Sequence, residues 1–263
     1  MSNGKCENQW ERLFKLRAKV DMMLVDGTRT LEEVCDAMQA IVSEKTGVEP
    51  AAKLLTSFNP VWLRAREIMG QNFFGVEEAV KHFAVNPTRQ QLAVLSEIPF
   101  TEAVLQSCKD THVLVAVFPL SILEIRGQVE SKLFYSHDGA WYNSQAFAKD
   151  KGEVGWHLVR KTPVANSTSK SWSEQQALLG KNEETPTARV MTYTIIGHYL
   201  ATGERLFRNL YVRCSDVDSH GNRVYVGDFG ESGFYVSSCW DGCRNSNLGL
   251  ASSRKPACRL PVR

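Results

Sequence analysis

The stretch from residue 223 to residue 255 constrains the fold most strongly, because two kinds of residue alternate along it. One kind is apolar or glycine and is typical of short strands that pack on a hydrophobic core. The other kind is small, polar or phenolic, contributes little to a core, and is therefore expected at the surface. We expect the apolar framework to be buried, and it consists of Val224, Val226, Gly227, Phe229, Gly233, Phe234, Val236, Trp240, Leu248, Gly249 and Leu250.

The polar residues between positions 228 and 247 predict a binding surface. Tyrosine offers amphipathic contact area at low entropic cost, and serine and asparagine offer adaptable hydrogen bonds, as in antibody paratopes. Ordinary surface turns use the same residue types, so composition alone leaves both interpretations open. The candidate ligand-binding residues are Asp228, Glu231, Ser232, Tyr235, Ser237, Ser238, Cys239, Gly242, Cys243, Asn245, Ser246 and Asn247.

The spacing of the framework resembles that of the variable proteins of diversity-generating retroelements. The shared frame starts at Val226 and has the form Val-Gly-x-Phe-x-x-x-Gly-Phe-x-Val-x-x-x-Trp-Asp-x-x-Arg-x-x-x-Leu-Gly-Leu-Ala-Ser-x-Arg-Lys. Residues 156–160, 171–176 and 192–207 are also similar to a strand, a short helix and a long helix of such domains. The resemblance therefore covers about residues 98–263.

That family has its codons at the x positions rewritten by a reverse transcriptase with adenine-specific infidelity. The substituted residues lie on a C-type lectin-like fold, which serves as a ligand-binding scaffold and which the formylglycine-generating enzymes share. The resemblance implies a C-type lectin-like display domain at residues 98–263. With the helical N-terminal region that periodicity predicts at residues 1–97, the chain is expected to be an α+β protein. The resemblance also implies binding without catalysis, a protein or other macromolecule as ligand, and Tyr235 as the aromatic anchor.

Hydrophobic periodicity predicts helices in the first part of the chain and strands in the second. One predicted helix runs from Trp10 to Val25, and a second follows Thr30 and exposes an apolar face from Leu31 to Val42. This face predicts self-association or attachment to a partner. Further helices are expected at 61–69, 76–83, 88–95, 172–179 and 187–201, the last with one core-facing stripe, and strands at 113–118, 153–159, 211–214, 224–229, 233–239 and 248–252.

A different class of function is suggested by residues 75–95, which could form a helix-turn-helix that binds DNA. Its second helix offers only Arg89, Gln90 and Gln91 as base-reading residues, and no basic cluster is present to contact phosphates. We therefore expect these helices to pack on each other, and nucleic acid is disfavoured as a partner.

The overall charge and hydropathy give no sign of a membrane or polyanion partner. Lys and Arg number 31 against 29 Asp and Glu, a formal net charge of +2. The longest apolar run, Val113 to Leu123, is interrupted by Pro119 and is shorter than the roughly 18–20 residues that span a bilayer. The polar N-terminus lacks a secretory signal, so the cytoplasm is the default location, and export without a standard signal peptide stays open.

The cysteine and histidine patterns give little support for chemistry. The seven cysteines are scattered and are expected to be reduced thiols. Cys239, Cys243 and Cys258 could be metal ligands or redox catalysts, but they lack the paired short spacing of zinc sites. We expect His198 to be a hydrogen-bonded core residue. The sugar-binding motifs of calcium-dependent lectins and the glycine-rich phosphate loops are missing from the sequence, so we expect no metal, cofactor or catalytic residue.

Overall fold

Helices and strands are mixed throughout the described residues, which confirms the predicted α+β class. The structure is a computed structural model and describes residues 30, 59–135 and 139–256. The predicted helices of residues 10–25 and 31–42, with their apolar face, lie outside the described residues. Residues 56–263 form one compact unit of the chain and residues 1–55 form another.

The helices and strands agree closely with the sequence prediction in position, and most differ by one to three residues at their ends. Three helices at 102–108, 122–128 and 146–149 had not been predicted. The helices are α1 (Pro60–Met69), α2 (Val76–Phe83), α3 (Arg89–Leu95), α4 (Glu102–Cys108), α5 (Ile122–Gln128), α6 (Ala146–Lys149), α7 (Trp172–Gln176) and α8 (Ala188–Thr202), with 3-10 turns at Gly70–Asn72, Ser131–Leu133 and Trp141–Ser144. The strands are β1 (Phe73–Phe74), β2 (His112–Val117), β3 (Gly155–Arg160), β4 (Glu183–Glu184), β5 (Tyr211–Val217), β6 (Arg223–Gly230), β7 (Gly233–Cys239), β8 (Leu248–Leu250) and β9 (Ser253–Arg254).

Side-chain caps fix the starts of several helices. The Asn59 side chain accepts hydrogen bonds from the amides of Val61 and Trp62 at the start of α1, and Pro60 occupies the first turn, where no amide is required. Thr88 and Gln91 form a capping box at the start of α3. These residues explain why the helix boundaries could be predicted from sequence.

Two sheets form the β-structure of the unit. The five-stranded sheet has the order β1-β2-β3-β9-β4, and the four-stranded sheet has the order β7-β6-β5-β8. Neighbouring strands are antiparallel except for the parallel pairs β1–β2 and β5–β8. The last described strand, β9, therefore returns to the first sheet and pairs with β3.

Helix α8 lies at the centre of the unit and contacts β2 of one sheet and β5 and β6 of the other. Its residues 188–198 are all buried. The predicted stripe faces the core as expected, and the residues of 188–198 outside the stripe are buried as well, because sheets and helices surround this part of α8. Gly203 ends the helix in the left-handed conformation at φ 78°.

The first described helices pack on the five-stranded sheet. The indole nitrogens of Trp62 in α1 and Trp156 in β3 both donate to the Leu95 carbonyl, at 2.7 and 2.8 Å. Residues of α1, α2 and α3 share one hydrophobic core with β2 and β3. The structure thus groups these helices with the strands in the unit that begins at Thr56, whereas the sequence had predicted a division at residue 97. The DNA-binding hypothesis for residues 75–95 stays a prediction.

Candidate recognition face

The four-stranded sheet buries one face and exposes much of the other. Val226 of β6 lies opposite Val236 of β7, and both pack toward the core. Tyr225 lies opposite Ser237 in the same register, and Gly227 lies opposite Tyr235. Because successive side chains of a strand point to opposite faces, the side chains of Tyr225, Ser237 and Tyr235 project away from the core.

Four tyrosines gather on the outward side, and we call them the tyrosine face: Tyr135, Tyr211, Tyr225 and Tyr235. The rings of Tyr135 and Tyr235 stack with centroids 4.0 Å apart. Tyr211 meets Tyr225 edge-on at 5.1 Å and Tyr235 edge-on at 6.2 Å. Edge-to-face and offset-stacked pairs are the favourable arrangements of aromatic rings, so the tyrosines support one another without being buried in a core.

Two glycines permit the close approaches that bring these rings together. Gly233 has φ 101°, and a Cβ there would lie 2.8 Å from the amide nitrogen of Tyr135. Gly227 has φ 132°, and a Cβ there would lie 2.4 Å from the carbonyl oxygen of Leu210. Only glycine fits at these positions, which are framework positions of the sequence pattern.

Polar side chains of the candidate set hold the phenol groups in place. The Tyr211 hydroxyl donates to the Asp228 carboxylate at 2.9 Å. Burial raises the pKa of Tyr211, and the hydrogen bond to Asp228 raises it further. Burial raises the pKa of Tyr225 and of Tyr235, and the neighbouring Ser237 and Ser232 side chains oppose the two shifts.

Residues 240–247, which we call the recognition loop, continue the surface beyond the end of β7. The loop closes on itself through a hydrogen bond from the Cys243 amide to the Trp240 carbonyl, at 3.0 Å. Its contacts with neighbouring segments are made largely by main-chain atoms, so they do not depend on the identity of most loop side chains. Three of these bonds run from Trp172 N to Asp241 O (2.8 Å), from Ser169 N to Asn245 O (2.9 Å) and from Tyr211 N to Asn247 O (2.8 Å).

Charges around the recognition loop are paired. Arg223 contacts Asp241 at 3.3 Å and stacks over the Trp172 ring, with the guanidinium carbon 4.0 Å from the ring centroid. Arg244 contacts Glu174 at 2.8 Å. The two charged side chains of the loop, Asp241 and Arg244, are therefore both paired, and its other side chains are neutral.

The candidate ligand-binding residues are all at least partly exposed, as the sequence predicted. Ser238 differs from its neighbours because it lies opposite the buried Val224, and its hydroxyl donates to Asp218 at 2.7 Å. Its hydroxyl is already engaged inside the protein. The fully exposed members are Glu231, Ser232, Asn245, Ser246 and Asn247, and the partly exposed members are Asp228, Tyr235, Ser237, Ser238, Cys239, Gly242 and Cys243.

Trp240 contradicts the expectation of a buried framework, because 67% of it is exposed. Strand β7 ends at Cys239, so the two-residue alternation that buries Val236 does not extend to position 240. The indole ring instead lies against Gly242, where a Cβ would come within 1.9 Å of the ring. The other framework residues of the predicted set are buried.

The cysteines and His198 agree with their predicted roles as thiols and as a core residue. Cys239 and Cys243 are free and half-buried, whereas Cys108 and Cys214 are free and buried. Burial raises the pKa of Cys239, although the neighbouring Arg213 opposes the shift. His198 is buried and hydrogen-bonded to Glu204 at 2.8 Å.

Sequence reasoning missed several residues of the surface. Tyr211 and Tyr225 alternate with buried valines, so strand periodicity could have placed them on the outward face. Tyr135 had no local signal, since a parallel bridge from Phe134 to Phe234 brings it to β7. Arg213, which is buried behind the recognition loop, also had no local signal, because its partners come from two other segments of the chain.

Two searches of the described residues define what else the structure offers. Within 59–135 and 139–256, no group of three or more His, Cys, Asp or Glu side chains could hold a metal ion. Over the same ranges, none of the helices combines the length and apolar character needed to traverse a bilayer. No family model matches the chain, and no curated protein or solved structure is significantly similar to it.

Proposed function

We propose that this chain is a non-enzymatic ligand-binding protein whose tyrosine face and recognition loop form a diversifiable recognition surface. One observation carries the proposal. Every candidate ligand-binding residue is at least partly exposed, while the framework residues interleaved with them, apart from Trp240, are buried. Such a division lets the exposed residues change at small cost to folding.

The clustering of aromatic rings favours a binding surface over ordinary turns. Four tyrosines from four segments converge on one side of a sheet, and Tyr135 is 57% exposed. Tyrosine and tryptophan are enriched in binding hot spots, and Trp240 adds a second exposed aromatic group. Surface turns alone do not require this convergence.

A macromolecular ligand fits the site better than a small molecule. A small-molecule site is usually a concave pocket. The open pocket of about 570 Å³ is lined by residues such as Arg66, His82 and Thr202, none of which belongs to the tyrosine face or the recognition loop. We therefore propose a protein or another macromolecule as the ligand.

We further propose that the fold is C-type lectin-like and that the chain is a variable protein of a diversity-generating retroelement. The segments that carry the resemblance fall on β3, α7 and α8, the strand, short helix and long helix that it implies. The frame that starts at Val226 falls on β6, β7 and β8. The cytoplasm remains the proposed location.

A display library tests the binding proposal. Positions 235, 237, 242, 245, 246 and 247 are randomised together, and the library is selected on immobilised hen lysozyme as a probe protein. A control library randomises exposed polar positions of α2, α3 and α4. We expect folded binders from the first library alone; loss of folding in most of its clones, or equal recovery from the control, would contradict the proposal.

The adjacent DNA tests the retroelement assignment separately. We expect a near-copy of the codons for residues 224–255 beside a reverse transcriptase gene, with differences only at adenines of the copy. Differences spread over all four bases would count against that assignment. Such differences would not bear on the binding proposal, which the display library tests.

A further inference from the structure

Arg213 is a fully buried cation with no acidic partner. The residue lies in β5 and is 0% exposed, and among the described residues no carboxylate forms an ion pair with it. Burying a guanidinium is costly unless its donors are satisfied. Its contacts should therefore have a specific use.

The guanidinium joins the recognition loop to the rest of the unit. Nη2 donates to the carbonyl oxygens of Cys243 at 2.7 Å and Trp240 at 3.5 Å. Nη1 donates to the Lys170 carbonyl and to the Gln175 side chain, both at 3.1 Å. Arginine suits this task because its planar group carries five donors in a fixed geometry.

Gln175 extends the same network to the end of the loop. Its side chain is fully buried, and its amide nitrogen donates to the carbonyls of Ser167 at 2.7 Å and Leu248 at 3.1 Å. Leu248 is the first residue after the recognition loop. Arg213 and Gln175 therefore hold the loop at its beginning, its middle and its end.

The loop offers main-chain oxygens to Arg213, and these are present whatever side chain occupies a loop position. Outside the loop, Arg213 also donates to two side chains, the Gln175 oxygen and the Cys239 sulfur, the latter from Nη2 at 3.3 Å. We infer that Arg213 is a positioning residue that fixes the backbone of the recognition loop independently of the loop's side chains. This inference rests on the proposed function, since it explains how a changing surface keeps one backbone geometry.

Amide hydrogen exchange tests the inference without any ligand. In Arg213→Met, the amides of Ser169, Trp172 and Cys243 should exchange at least about tenfold faster. Losing a hydrogen bond from a charged group shifts the local opening equilibrium of the loop by roughly that factor. Amides of α8 and β6 should keep the protection of the unchanged protein. Normal protection of the loop, or an equal rise in α8, would overturn the assignment.

A matched control removes a different buried arginine. Arg189 is 6% exposed and donates to the carbonyls of Phe118 and Glu153, outside the loop. Arg189→Met should leave the exchange of the three loop-linked amides unchanged. The same loop acceleration in this variant would mean general softening of the unit and would reject the role of Arg213.

Two further variants keep the test decisive if Arg213→Met does not fold. Arg213→Lys keeps the positive charge but has a single nitrogen to donate hydrogen bonds. The loop amides should therefore exchange faster than in the unchanged protein, by less than if all the hydrogen bonds of Arg213 were lost. Unchanged exchange would refute the inference. Combined alanine substitution at Asn245, Ser246 and Asn247 should leave exchange as it was. If this substitution loosens the loop, side chains hold it and Arg213 does not.

The outcome separates the two proposals. A loop that depends on Arg213 in a protein whose library yields no binder would contradict the proposed function and leave the positioning role intact. If the library yields folded binders but loop exchange does not depend on Arg213, the proposed function is supported and the positioning role is contradicted.

Discussion

Tyr135 stacks on Tyr235 with ring planes 20° apart, although 100 positions of sequence separate them. The Tyr135 amide also donates to the Phe234 carbonyl at 3.1 Å, which fixes this segment along the edge of β7. Tyr135 lies outside residues 228–247. The recognition face built by the fold is therefore wider than the segment that the sequence pattern marks, and it includes an aromatic ring from a separate part of the chain.

Truncation of adjacent side chains in β7 should destabilise the protein to very different extents. Tyr235→Ala should lower the free energy of unfolding by about 0.5–1.5 kcal/mol, the value of lost ring pairing at a partly exposed site. Phe234→Ala should lower it by about 3–5 kcal/mol, because Phe234 is 1% exposed and its loss opens a cavity. Urea denaturation of both variants measures the difference. Comparable losses would show that Tyr235 belongs to the core.

Trp240→Ala should change the free energy of unfolding by less than about 1 kcal/mol, because exposed side chains contribute little to stability. Its control is Trp62→Ala, which removes a 6% exposed indole that donates a hydrogen bond to the Leu95 carbonyl. This variant should lower the free energy of unfolding by about 3–5 kcal/mol. Chemical denaturation at pH 7 compares them. An unfolded Trp240→Ala protein would restore the framework role that the sequence first suggested.

Local pattern predicted what depends on local chemistry. The alternation in β6 and β7 gave the buried and exposed positions on either side of the register shift between Gly227 and Gly230, because regular strand geometry decides them there. The same alternation failed at Trp240, where the strand ends and the chain turns. The two-residue alternation of buried and exposed side chains holds only within a strand, and no sequence signal indicated that β7 ends at Cys239.

Contacts between distant segments could not be predicted. Arg213 meets carbonyl oxygens of two other segments, and no single stretch of sequence carries the reason for its burial. Tyr135 reaches Tyr235 only through the bridge at Phe134. Helix α8 was predicted to have a core-facing stripe, and the burial of residues 188–198 on all sides follows from two sheets whose arrangement no helix pattern encodes.

Ser238 should behave as a structural residue despite its place among the candidates. Its hydroxyl donates to Asp218, which also accepts from the amides of His220 and Asn222. Ser238→Ala should lower the free energy of unfolding at pH 7 by about 1 kcal/mol, the typical value of a partly exposed hydrogen bond. Ser237→Ala, one position away on the outward face, should cost less.

The loss in Ser238→Ala should also depend on pH. Burial opposes ionisation of Asp218, but its hydrogen bonds lower the pKa from 3.8 to about 2. A carboxyl whose pKa is lower in the folded state adds stability above pH 3.8, and this is lost as pH falls toward 2. The gap between Ser238→Ala and the unchanged protein should therefore narrow over that range in denaturation measurements. A constant gap would mean that Ser238 does not act through Asp218.

His112 should make the protein sensitive to mild acid. Burial, with Arg160 and Arg254 nearby, lowers the pKa of His112 from 6.5 to about 4. Between pH 6.5 and 4, His112 is therefore protonated in the unfolded chain but not in the folded protein. The free energy of unfolding falls as pH is lowered through this range, by about 2–3 kcal/mol at pH 4.

Replacing the imidazole tests this origin. His112→Asn should make the decline between pH 6.5 and 4 shallower, whatever its effect at pH 7, because it removes one of the groups whose pKa burial lowers to about 4. His157, whose pKa burial lowers in the same way, should keep part of the decline. His220→Asn, at an exposed turn, is the matched control and should keep the full decline. Unfolding free energies at pH 7, 5.5 and 4 give the three slopes. If the unfolding free energy of His112→Asn falls with pH as steeply as that of the control, other groups cause the acid sensitivity. The reason is that the control keeps the buried imidazole of His112 and the variant lacks it.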